Sequence, residues 1–151
     1  MNILRYSKRD GGAATEAAIC LPIILLIISA TVELSTAIYL KESLTIAAYE
    51  GARIAISRDA DDERVRDRIA EVLAERSIDI GDVAILDRVS VSPASDVATM
   101  LQPIEIEVSA PTAGNVVLPF RFLQFVTPEE MSATVVMRKE FTLELEEEDE
   151  E

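Results

Sequence analysis

The chain of 151 residues has room for one small domain with appendages, and its formal net charge is −14. The first 40 residues carry three basic and three acidic side chains, so the whole negative excess lies in residues 41–151. A negative field of this kind repels nucleic acid and anionic lipid headgroups, and we expect neither to be a partner of that region.

The N-terminal segment is basic and leads into a long apolar run. Its basic side chains are Arg5, Lys8 and Arg9. The uncharged run that follows spans residues 17–40 with one interruption, at Glu33. These 24 residues would extend about 36 Å as an α-helix, which exceeds the roughly 30 Å of a hydrocarbon core. The sequence therefore predicts a membrane span at about residues 17–40, preceded by a leader of residues 1–11.

The charges around this span predict its orientation. The basic residues lie before it, whereas Lys41 and Glu42 directly after it cancel each other. Positive flanking charge stays on the cytoplasmic side, so the N-terminus is expected in the cytoplasm and the rest of the chain outside. A charge inside a span is costly unless it is paired or lies near the interface. We therefore expect Glu33 to lie near the outer edge and to face neighbouring helices.

The helix is expected to continue beyond the membrane. No proline interrupts residues 41–57, and apolar or small side chains recur there at steps of three and four residues. This narrow seam consists of Leu40, Leu44, Ala47, Gly51 and Ile54. We predict one long helix over residues 12–57, whose outer half is amphipathic and covers part of an outer domain.

The outer domain is predicted to span residues 58–145. A second helix should begin near Asp61, and the side chain of either Asp59 or Asp61 can cap it. Its buried stripe would be Val65, Ile69, Val72 and Leu73. The acidic residues 146–151 are expected to form a disordered tail, because like charges repel and no apolar side chain anchors them.

Alternation of apolar and polar residues then predicts three strands. They are expected at residues 83–92, around residues 104–108 and at residues 134–145. A proline-rich loop with several aromatic side chains separates the last two. The predicted fold class is α+β, with a long N-terminal transmembrane helix, one further helix and a three-stranded antiparallel sheet.

Catalytic and metal-binding side chains are scarce. The chain has no histidine, and its single cysteine, Cys20, lies in the apolar run. Serine or cysteine nucleophiles therefore lack their usual base, and zinc sites built from histidine or from several thiolates are excluded. Glu105 and Glu107 share one predicted strand face, which is more simply a solvated face than an acid–base pair. We expect no enzymatic activity, no cofactor and no metal.

The most informative motif lies directly before the span. Gly11 precedes Glu16 by five positions, with a basic leader before the glycine and an apolar helix after the glutamate. This arrangement resembles the processing region of type IV pilin-like subunits. The run Gly-Ala-Ala-Thr-Glu-Ala-Ala at residues 12–18 is more closely similar to TadE-like proteins, the minor pseudopilins of tight-adherence pilus systems. Glu-Gly-Ala-Arg at residues 50–53 and the segment 132–140 resemble two further features of that family.

The resemblance implies a structural role in pilus assembly, with a pilin-like fold anchored in the bacterial inner membrane. A prepilin peptidase would cut between Gly11 and Gly12, and other pilin-like subunits would be partners. Glu16 would then pair with the new amine of Gly12, on its own chain or on a neighbour, and set the register of subunits. The alternative for Glu16 is an interfacial glutamate that marks where the span begins.

Two other interpretations of the whole chain stay open. The chain could be a permanently anchored extracytoplasmic binding module without a pilus role. It could also be a secreted precursor cut by signal peptidase, since residues 35–37 offer a small-x-small site. The mature N-terminus separates the three hypotheses, being Gly12 for a pseudopilin, Met1 for an anchored module and Ile38 for a secreted protein.

Overall fold

A computed structural model describes residues 12–57, 60–81, 84–94, 102–117 and 128–138 of the chain. The predicted leader and acidic tail lie outside these ranges, as does most of the proline-rich loop. Within them, the elements follow one another as three helices and three strands. The α+β fold with a long N-terminal helix and a three-stranded antiparallel sheet is confirmed.

Helix α1, Gly12–Ala55, dominates the molecule. Its 44 residues correspond to a length of about 66 Å. Its first half is exposed on all sides, whereas from Glu33 onward a buried side chain recurs every three or four residues. The predicted seam is confirmed, since Leu40, Leu44, Ala47 and Gly51 are buried and Ile54 is half-buried. The second half of α1 is therefore a core element of the domain.

Helix α2, Asp62–Glu75, packs against this outer half of α1. Of the two predicted candidates, Asp61 is the cap, because its carboxylate accepts a hydrogen bond from the backbone N–H of Glu63 at 3.4 Å. The four predicted stripe residues are all buried. The polar face of α2 stays in water, so the helix closes one side of the core.

The sheet supplies the other side of the core. Its strands are β1 (Val89–Ser92), β2 (Pro103–Pro111) and β3 (Glu130–Arg138), with β2 in the centre and both pairs antiparallel. Alternation along β2 buries four side chains: Ile104, Ile106, Val108 and Ala110. Both β2 and β3 contact α1, so helix and sheet enclose one core.

Two predicted strand boundaries need correction. Residues 85–88 were expected in the first strand but form a single helical turn, α3 (Ile85–Arg88). This turn packs Ile85 against the core, a contact that local alternation does not reveal. Strand β3 begins four residues before the predicted start, at Glu130, because the neighbouring strand β2 pairs with it from Pro111 onward.

One end of the sheet lies beside the middle of α1. After β2 the chain turns through residues 112–116, and the backbone N–H of Val117 donates to the Thr36 hydroxyl at 3.3 Å. Lys41 also donates a hydrogen bond to the backbone oxygen of Ser132, near the start of β3. The Pro111 end of the sheet thus lies level with residues 36–41, and β3 packs against α1.

Candidate processing and assembly site

The predicted processing site lies at the beginning of α1. Gly12 is the first helical residue and is exposed, and Gly11 lies outside the described residues. The Thr15 hydroxyl donates to the Gly12 carbonyl oxygen at 2.8 Å, across the first turn. The first N–H groups of a helix have no partner within it, so this end carries partial positive charge.

Glu16 lies one turn further along and is exposed. No cationic group pairs with its carboxylate among the residues that the structure describes. Its distance from Gly12 is about 6 Å along the helix axis. In a single chain, Glu16 is therefore available to a partner at the apolar boundary.

The following segment of α1 presents apolar side chains in every direction. The large side chains from Ile19 to Ile28 are 46–68% exposed. Among the described parts of the chain, α1 is the helix that is long and apolar enough to cross a membrane. A surface of this kind needs lipid or neighbouring helices around it, because in water it would be a large unshielded apolar patch.

Glu33 differs from its prediction. Its side chain is only 1% exposed within the single chain, so it does not face outward toward neighbouring helices. Neither carboxylate oxygen has a hydrogen-bond partner among the described residues. Glu33 lies on the same side of α1 as Ala37 and Leu40, the side on which the domain packs. The chain itself therefore encloses this carboxylate, and one-dimensional periodicity does not show this.

The Glu-Gly-Ala-Arg motif lies where α1 meets α2. A Cβ atom placed on Gly51 would come within 2.6 Å of Ile69 Cδ1 and 2.7 Å of Ile69 Cγ1. Such distances are shorter than carbon atoms tolerate, so the absence of a side chain at residue 51 allows the two helices to approach closely. The sequence placed Gly51 and Ile69 on buried seams but did not pair them.

Glu50 forms polar contacts at the same junction of α1 and α2. Its carboxylate lies 3.6 Å from Arg68 Nη2 and 4.0 Å from Arg53 Nη1. Arg68 also donates to Glu71 at 2.6 Å. This hydrogen bond, followed by the charges of Glu71 and Glu50, raises the pKa of Arg68 above its ordinary value. The motif's acidic and small residues thus both join α2 to α1.

The outer face of the sheet is polar and forms an open groove of about 630 Å³. Arg88 Nη1 lies 2.6 Å from Glu130 Oε1 at one side of it. The pKa of Glu130 is lowered, first by a hydrogen bond from the Ser109 side chain and then by Arg88. Glu105 and Glu107 are both exposed on this face. No cluster that could hold a metal occurs among the described residues.

Comparison with known protein families gave a match to the N-terminal part of the chain. A family described as TadE-like protein matches residues 11–53. This segment is TadE-like. The match confirms the resemblance drawn from the glycine, Glu16 and Glu-Gly-Ala-Arg motifs, and it ends next to the contact between Gly51 and α2. Comparisons with curated proteins and with solved structures gave no match.

The boundaries of the TadE-like segment agree with the architecture. The matched residues run from Gly11, directly before α1, almost to the end of α1 at Ala55. They include Glu33 and the surface that receives α2, but neither α2 nor the sheet. The resemblance of residues 132–140 to a closing strand of the family lies beyond the match.

Proposed function

We propose that the chain is a minor pseudopilin of a tight-adherence pilus system, a structural subunit without catalytic chemistry of its own. The observation that carries this proposal is the TadE-like segment, which coincides with a helix whose first half is exposed and apolar on all sides. The chain would be anchored in the bacterial inner membrane by one span, with the N-terminus in the cytoplasm and the α+β domain outside.

The beginning of α1 suits a processing step followed by assembly. A prepilin peptidase would hydrolyse the bond between Gly11 and Gly12, where neither residue has a side chain to obstruct access. The new ammonium group of Gly12 would then add to the positive end of α1. The exposed carboxylate of Glu16 would pair with such an amine on a neighbouring helix, and in a low dielectric an unpaired charge is costly enough to make this pairing selective.

Processing gives the first prediction. In cells with an active prepilin peptidase, the membrane-extracted protein is expected to begin at Gly12. Edman sequencing or intact-mass measurement of the purified chain checks this. An intact Met1 would instead favour a permanently anchored binding module, and a start at Ile38 would favour a secreted protein. Ser35 and Ala37 lie inside the unbroken helix α1, which gives the last of these no support.

Assembly gives the second prediction. Glu16→Gln keeps the size and polarity of the side chain but removes its charge, so we expect normal cleavage and insertion together with loss of association with other pilin-like subunits. Gly11→Val should have the opposite effect and accumulate as full-length precursor, because a branched side chain crowds the peptide bond. Immunoblots for size and crosslinking in membranes measure both outcomes.

The control for this pair of variants is Glu42→Gln. Glu42 is an exposed glutamate on the same helix, beyond the apolar run. Its replacement also removes one negative charge but leaves the proposed contact with Gly12 intact, so crosslinking should match that of the parent. Parent-like crosslinking of Glu16→Gln would show that Glu16 only marks the membrane boundary.

A further inference from the structure

The length of α1 determines which part of the domain lies at the membrane surface. This inference rests on the span proposed above. A hydrocarbon core about 30 Å thick corresponds to about 20 helical residues. Counted from Ala17, the first residue after Glu16, the core ends near Thr36, so the last four residues of the predicted span 17–40 already lie among the headgroups. Residues 36–43 of α1 therefore lie at the level of the lipid headgroups, and so does every part of the domain that contacts them.

Two segments distant in sequence contact α1 at this level. The first is the end of α2: the Tyr39 hydroxyl donates to the backbone oxygen of Arg76 at 3.2 Å, and Arg76 Nη1 lies 3.5 Å from the Ser43 hydroxyl. The second is the turn after β2, where the N–H of Val117 donates to Thr36 at 3.3 Å. These bonds hold both segments beside the end of the span.

The side chains exposed here fit the boundary between lipid and water. Ile38 and Val117 are 57% and 54% exposed, although both are apolar, and Tyr39 is 46% exposed. Tyrosine is enriched at this boundary because its ring is apolar while its hydroxyl forms hydrogen bonds. The apolar surface of the span thus continues from α1 onto the domain.

Arg76 supplies a positive charge at the same level. No carboxylate among the described residues lies within 4 Å of its guanidinium group, in contrast to Arg68 and Arg88. A guanidinium presents several N–H donors in a plane, a geometry that matches two oxygens of a phosphate. Within the described ranges, Arg76 therefore has a hydroxyl partner but no ion-pair partner, and it lies where phosphates of the bilayer are located.

We propose that this end of the domain, formed by Tyr39, Arg76 and Val117, rests in the headgroup layer, with Arg76 bound to a phospholipid phosphate. The overall charge of the domain led us to expect no contact with anionic headgroups. Arg76 is a local exception to this expectation. Its guanidinium group would be within hydrogen-bond distance of a phosphate, where their attraction is strong. The acidic groups of the domain lie farther from the phosphates, and salt in the intervening water screens their repulsion. A lipid is preferred over a protein partner because the surface is continuous with the span.

Tryptophan fluorescence tests the position of the domain, since the chain contains no tryptophan. Single tryptophans replace Ile24 in the span, Val117 at the proposed contact and Val136 on β3, all of which are exposed. Val136 lies four residues beyond Ser132, about 13 Å farther from the membrane end of the sheet. The full chain is reconstituted at one copy per nanodisc, with phospholipids brominated in the upper part of the acyl chain.

We expect strong quenching for Ile24→Trp and Val117→Trp and little for Val136→Trp. Adding Arg76→Ala to Val117→Trp should reduce its excess quenching over Val136→Trp, because one anchor to the headgroups is lost while the bond from Val117 to Thr36 remains. Arg76→Lys should retain most of the excess. Arg53→Ala is the matched control, since the Arg53 side chain is 72% exposed on the outer half of α1. Circular dichroism of each variant verifies that the domain is folded.

The outcomes separate this inference from the proposed span. Absence of quenching for Ile24→Trp would contradict the span itself. Strong quenching for Ile24→Trp with equal, weak quenching for Val117→Trp and Val136→Trp would leave the span intact and overturn the headgroup contact. Unchanged quenching of Val117→Trp after Arg76→Ala, in a folded protein, would overturn the role of Arg76. Since each disc holds one copy, a neighbouring subunit cannot produce the expected signal.

Discussion

Replacing Glu33 with leucine is expected to stabilise the folded protein by roughly 1–3 kcal/mol, the scale of the desolvation penalty for a buried polar group without a hydrogen bond. The Glu33 side chain is 1% exposed, and neither of its oxygens has a partner among the described residues. Burial of a carboxylate without compensating hydrogen bonds is unfavourable, whereas leucine has no polar atoms. Thermal unfolding in one detergent, followed by circular dichroism, measures the change.

Two variants make this result interpretable. Glu33→Gln removes the charge but keeps a polar group, so its gain should be smaller than that of leucine. Glu42→Leu places leucine at an exposed position of the same helix and should change the midpoint little. A lower midpoint for Glu33→Leu than for the parent would mean that the carboxylate has a stabilising partner. Higher stability combined with impaired pilus assembly would identify a group retained for function at a cost in stability.

The elements with strong local periodicity could be predicted from the sequence. The seam of α1 was visible because Leu40, Leu44 and Ala47 recur at helical spacing over several turns. The start of α2 was visible because Asp59 and Asp61 both have the side chain of a helix cap and an apolar stripe follows them. These signals are contained within a few turns of chain, so tertiary contacts were not needed to interpret them.

Contacts between distant segments could not be predicted in this way. Lys41 and Ser132 are 91 residues apart, and Thr36 and Val117 are 81 residues apart. Such pairs determine which side of α1 the domain covers, and hence that Glu33 is enclosed by its own chain. The helical turn at Ile85 was missed for the same reason, since its stability comes from packing against the core.

The same distinction between local patterns and distant contacts applies to the candidate site. The spacing of Gly11, Gly12 and Glu16 is a local pattern and led directly to the TadE-like resemblance, which the match over residues 11–53 confirms. Their chemical roles depend on a peptidase and on neighbouring subunits, so they stay predictions that the experiments above test. The contact of Gly51 with Ile69 was invisible in the sequence because it joins two helices whose relative position no local pattern specifies.

The close contact between Gly51 and Ile69 predicts that the effect of Gly51→Ala on stability depends on the side chain at residue 69. Alanine forms helices more readily than glycine, by about 1 kcal/mol. At residue 51, however, the added Cβ would lie 2.6 Å from Ile69 Cδ1. Overpacking a well-packed core costs about 1–3 kcal/mol, so Gly51→Ala is expected to destabilise the protein despite its better helix propensity.

Truncation of Ile69 should reverse this effect. Ile69→Ala alone is expected to cost about 2–5 kcal/mol, because Ile69 is fully buried and its loss leaves a cavity. It also removes both atoms that would collide with a methyl group at residue 51, so in this background Gly51→Ala should become stabilising by up to about 1 kcal/mol.

Val72→Ala is the control background, since Val72 is also buried on α2 but none of its atoms is among those nearest to the added Cβ. There, Gly51→Ala should still destabilise. Denaturant unfolding of the parent, the single variants and both double variants in one detergent yields the coupling free energy. If Gly51→Ala has the same effect in all three backgrounds, the close approach of α1 and α2 is not what requires glycine at residue 51.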